Sequence, residues 1–120
     1  MDRVQFIEHK GKKILHLNFA YCKADDILPI IDKAKTVIST QTQKSVYVLT
    51  DVTEAAFNAK VSDSMKEFVS HNKPFVAASA VVGVVGLKQI IFNAVMKVSG
   101  RELHAFDSLD QAKEWLSGHS

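Results

Sequence analysis

Residues 45–100 read SVYVLTDVTEAAFNAKVSDSMKEFVSHNKPFVAASAVVGVVGLKQIIFNAVMKVSG, and this stretch decides the fold. SVYVLTD is apolar on both of its alternating faces, as a strand covered by helices on both sides must be. Val61, Met65, Phe68 and Val69 then recur at helical spacing until Pro74, which cannot continue a helix. FVAASAVVGV is a second strand of the doubly buried kind. Residues 87–98 return to helical spacing and stop at Ser99-Gly100, glycine being the usual residue just past a helix C-terminus. Strand, helix, strand, helix at these lengths specifies parallel β-α units. The loops LTDVTEAAFN and GVVGLK fall at the carboxyl ends of the strands, where open α/β sheets place their ligand crevices.

Outward from this centre, VQFIEHKGKKILHLNF forms two alternating runs around Lys10-Gly11-Lys12, a β-hairpin in which Leu15, Leu17 and Phe19 share a face. Residues 24–40 carry Ile27, Ile30, Ile31, Ala34, Val37 and Ile38 at helical spacing. Asp25 and Asp26 suit the positive end of that helix, and Pro29 is expected to disturb its start. Towards the C-terminus, LHAF is a short strand. Ser108 with Gln111 makes a capping box that opens a last helix, turning Leu109, Ala112, Trp115 and Leu116 inward. The expectation is one α/β domain over residues 1–120. It has a mixed sheet of about five strands, an N-terminal hairpin followed by parallel β-α units, and four helices.

Composition narrows the function classes. The chain has 120 residues, 47% of them hydrophobic, enough for one modest core. Its 15 basic and 13 acidic side chains are interspersed, giving a net charge of +2 and no basic footprint for nucleic acid. The longest apolar run, residues 74–87, is shorter than the ~20 residues that span a bilayer, so no integral membrane segment is expected. Cys22 is the only cysteine, so an intramolecular disulfide is impossible and a reducing cytoplasm is the expected compartment.

Residues able to carry chemistry are few. His9, His16, His71, His104 and His119 lack the spacing of a zinc site, and no metal or cofactor is expected. Asp51 with Thr53 at a strand end would serve as a general base beside a hydroxyl, or would simply close an Asx or ST turn. Cys22 has no evident partner to activate its thiol. Gly83 and Gly86 before a helix can expose backbone N–H groups to an anion, or can permit a tight turn; neither a P-loop nor a dinucleotide fingerprint is present. Lys88 in the first turn of a helix opposes the macrodipole unless an anion offsets it. On the same helix, a buried stripe of Leu87, Ile90, Ile91, Ala94 and Val98 would leave Phe92 and Met96 on the outer face, to be covered by a neighbouring helix of the same chain or else to mark an interface with a protein partner or a second copy, or a greasy ligand groove.

In LTDVTEAAFN, in the order of its elements and in HNKPFVAASAVVGVVGLKQIIFNAV...SGRELHAFDSLDQAKEWL, the chain resembles the small bacterial STAS-like proteins of the anti-sigma-factor-antagonist fold. That fold is also compared with the CRAL-TRIO lipid-transfer fold. The resemblance implies a domain that acts by binding rather than by catalysis. Phospho-regulated members carry an Asp-Ser pair at the start of the helix after the central strand. Here FNAKV places Asn58 at the acid and Ala59 at the serine, so the resemblance implies that the phosphoserine switch is absent. Thr53, Ser62 and Ser64 are the nearby hydroxyls. Three functions are therefore expected in order. The first is a non-enzymatic STAS-like regulatory or protein-interaction domain. The second is a binder of a small anionic or lipid-like ligand at Asp51, Thr53, Asn58, Gly83, Gly86, Lys88 and Arg101. The third is an enzyme resting on Asp51, Thr53 and Asn58.

Overall fold

The computed structural model describes residues 3–118. Along the chain lie β1 (Val4–His9), β2 (Lys12–Asn18), α1 (Ala24–Ser39), β3 (Val46–Asp51), α2 (Ala59–Asn72), β4 (Val76–Val82), α3 (Leu87–Ser99), β5 (His104–Phe106) and α4 (Leu109–Ser117). The five strands form one mixed sheet whose spatial order equals their chain order. β1 and β2 pair antiparallel, closing at His9 opposite Lys12. Lys10 and Gly11 both take positive φ, as a two-residue hairpin turn of the favoured hand requires. The pairings β2 with β3, β3 with β4 and β4 with β5 are all parallel.

Right-handed crossovers that step always in one direction put every connecting helix on the same side of a sheet. Accordingly α1, α2 and α3 share one face, where Leu15, Leu17, Val48 and Val81 pack against Ile27, Ile31, Val61, Phe68 and Phe92. The helix after the last strand has the other face to itself: Ile14, Leu49, Ala78, Ala80 and Val82 pack against Ala112 and Leu116 of α4. β3 feeds both layers, Val46 and Val48 to one and Leu49 to the other, which explains its apolarity on both sides.

Local sequence fixes most element ends. Ser108 Oγ accepts from the Gln111 amide at 3.2 Å, and Gln111 Oε1 accepts in return from the Asp107 amide at 3.2 Å, opening α4. Gly100 ends α3 in the left-handed region at φ 68°. α1 runs unbroken through Pro29, which sits deeper than the first-turn position where proline costs nothing.

α3 departs from the expectation. Phe92 is only 8% exposed and lies in the core with Val95, while Met96 is half-buried against it. Leu87, Ile90 and Val98 stand 79%, 67% and 63% exposed. The expected phase of this helix is therefore wrong, and Phe92 and Met96 are not its outward pair. The physical reason is packing: apolar residues cover most of the circumference of α3, and the phase adopted is the one in which Phe92 and Val95 fill the space within the three-helix core.

Candidate functional site

The three-helix layer is not fully closed. Between α2, α3 and the strands β3 and β4 lies a cavity of about 80 Å³. Phe57, Met65, Phe68, Val81, Phe92 and Val95 give it apolar walls, and Thr50, Asn72, Ser79, Lys88 and Arg101 supply the polar groups.

Each polar group has a local cause. Strand alternation turns Ala78, Ala80 and Val82 towards α4, which leaves Ser79 on the cavity side at 3% exposure. A buried hydroxyl needs a partner, and Ser79 Oγ accepts a hydrogen bond from the Arg101 guanidinium. The left-handed turn at Gly100 brings Arg101 back beneath the layer, where its own amide donates to Ser99 Oγ at 3.2 Å. The same guanidinium donates to the Val69 carbonyl at 3.5 Å. That carbonyl is among the last four of α2, which have no partner within the helix and carry its negative partial charge.

Hydroxyl and carbonyl oxygens solvate the guanidinium without neutralising it. Among the described residues, the ion pairs join His9 and Lys10 to Glu114, Lys35 to Glu67, and Lys66 to Asp63; none includes Arg101. Burial lowers the Arg101 pKa to about 10, so it remains a cation near neutrality, held in an apolar recess with no carboxylate beside it. Lys88, half-buried in the first turn of α3, lines the same cavity. It approaches from the carboxyl ends of the strands, whereas Arg101 precedes β5 and approaches from the opposite end.

The other residues singled out in the sequence lie elsewhere. Asp51 is buried at the end of β3, in register with Asn18 of β2, and its Oδ1 accepts from the Thr53 amide at 2.9 Å in an Asx turn. Asn58 caps α2, its Oδ1 accepting from the Val61 amide at 2.9 Å. Gly83, at φ +92°, lies against Thr53 so closely that a Cβ would come within 2.5 Å of the Thr53 nitrogen. Gly86 precedes α3 with open space around it. Lys88 and Arg101 thus share a cavity that Asp51, Thr53, Asn58, Gly83 and Gly86 do not line. Ala59 is exposed as the first residue of α2, with Thr53, Ser62 and Ser64 half-buried around it. Cys22 is buried, and His119 lies outside the described residues.

Thr50, Asn72 and Ser79 are site residues that the sequence pattern did not single out. Ser79 alone carried a signal, as the one polar side chain in VAASAVV. Comparison of the chain with protein-family models, with curated proteins and with solved structures finds no match.

Proposed function

We propose that this is a non-enzymatic binding domain of STAS-like type that holds a small amphipathic anion in the cavity between α2, α3 and the sheet. The observation that carries this reading is Arg101, a half-buried cation among apolar walls with no acidic partner. Removing an ion from water costs several kcal/mol, and an anion delivered to the guanidinium recovers part of that cost as charge-assisted hydrogen bonds. Lys88 at the other end adds attraction for the same sign of charge. With alanine at position 59, occupancy of this cavity takes the signalling place that phosphoserine holds in the resembled family. Native mass spectrometry of protein purified from its own cells tests the reading. A retained small anion, lost when Arg101 is replaced by Gln, is the expected result; protein that retains none and binds no added anion overturns it.

A second reading, engagement of a protein partner or second copy, is favoured by a separate observation. Val85, Leu87, Ile90 and Val98, four of the five large apolar side chains exposed among the described residues, sit on or just before α3. Replacing Ile90 and Val98 together with Glu should leave the domain folded and lower its mass in light scattering. An unchanged mass with unchanged partners removes this reading.

A further inference from the structure

We propose that the anion is a small apolar monocarboxylate, its carboxylate paired with the Arg101 guanidinium and its body enclosed by Phe57, Val81 and Phe92. This rests on the binding reading above and narrows it to a chemical class. Charge is the first argument: the half-buried Arg101 guanidinium is the cation at the Ser79 end of the cavity, Lys88 entering from the opposite end, so one negative charge matches it there. A phosphate dianion would bring a second charge and more acceptor atoms into walls that offer few donors. Donor geometry is the second. Arg101 spends one terminal nitrogen on Ser79 and the other on Val69, yet a guanidinium has five N–H donors, so a planar carboxylate can still meet its fork. Volume is the third. A cavity of about 80 Å³ corresponds to roughly six water-sized spheres, the size of a benzoate or a hexanoate and far below the ~300 Å³ and more of pockets that hold drug-sized molecules. A whole lipid is excluded on the same ground.

The test titrates the full chain, labelled for protein-observed NMR at neutral pH, with benzoate, hexanoate, benzamide and inorganic phosphate. Benzoate and hexanoate should saturably shift the amides of Ser79, Val81 and Phe92. Benzamide, which keeps the ring and loses the charge, should bind about tenfold more weakly or worse, the worth of a charge-assisted contact. Arg101→Gln should cost benzoate a similar factor. The comparison of benzoate with benzamide stands on the unaltered chain, so it decides the matter even where the variant fails to fold. Benzamide binding as tightly as benzoate overturns the pairing with Arg101. Phosphate shifting the same amides while both carboxylates leave them unmoved overturns the carboxylate class and leaves the anion-binding reading in place. No response to any of the four probes overturns both.

Discussion

Arg101 and Ser79 form an asymmetric pair, and the asymmetry separates stability from function. Ser79 is 3% exposed, and Arg101 is kept beneath α2 and α3 with oxygen acceptors but no counter-charge. Replacing Arg101 by Met removes the desolvated ion and leaves a hydroxyl and a carbonyl without their donor; these effects oppose each other, each on the order of 1–3 kcal/mol. Urea denaturation should therefore place Arg101→Met within about 1 kcal/mol of the parent, while benzoate binding falls about tenfold or more. Ser79→Val removes the acceptor and leaves the half-buried cation without it. It should be the more destabilising of the two, by ~1–3 kcal/mol, although it changes no charge and adds apolar surface to a strand. The opposite order, with Arg101→Met the worse, would mean that the guanidinium is a structural strut rather than a ligand group.

At the scale of elements, α3 is where sequence and structure part. Phe92→Ala should cost ~3–5 kcal/mol, as aromatic truncations in a core do, whereas Leu87→Ala on the exposed flank should stay within ~0.5 kcal/mol. Thermal or urea unfolding of the two single variants checks this, and a larger cost for Leu87→Ala than for Phe92→Ala would restore the phase expected from the sequence. α2 was legible because Val61, Met65, Phe68 and Val69 form one apolar stripe among polar neighbours, leaving one phase available. α4 was legible for the same reason, with Ala112 and Leu116 buried as expected. In LKQIIFNAVMKVS the apolar residues cover most of the circumference, so periodicity admits two phases and only packing chooses between them. Lys88 compounded the ambiguity: a lysine normally marks the solvent side, yet here it is half-buried and lines the same cavity as Phe92 and Val95. The α/β order, the hairpin and the caps depend on residues close in sequence and could be read. The cavity depends on Thr50, Asn72, Ser79 and Arg101, contributed by β3, α2, β4 and the turn after α3, and no local pattern joins them.

The whole molecule is lopsided, with three helices on one face of the sheet and the nine-residue α4 alone on the other, and this lopsidedness sets its response to acid. His16 lies on β2 two residues beyond Ile14, which packs in the α4 layer, and its Nε2 is buried without a hydrogen-bond partner. Burial lowers its pKa below 6.5, with the Asp51 carboxylate opposing that shift and Lys113 on α4 adding to it. The neutral ring is therefore the form that the fold accepts. Above the unfolded-state pKa of ~6.5 both states hold a neutral ring, and stability is independent of this group. As pH falls below that value the unfolded chain takes up the proton more readily than the native one, so stability declines until the lower native pKa is passed. Glu67 and Glu114, whose pKa values are held down by their lysine partners, lose their contributions only in the carboxylate range further down. Thermal midpoints by circular dichroism at steps from pH 7.5 to about pH 5 should fall with acidification, and His16→Leu should flatten that part of the profile while leaving the plateau above it. A profile for His16→Leu as steep as the parent's would place the acid-sensitive group elsewhere, and a parent profile that rises on acidification would mean that His16 finds a partner for its proton in the folded state.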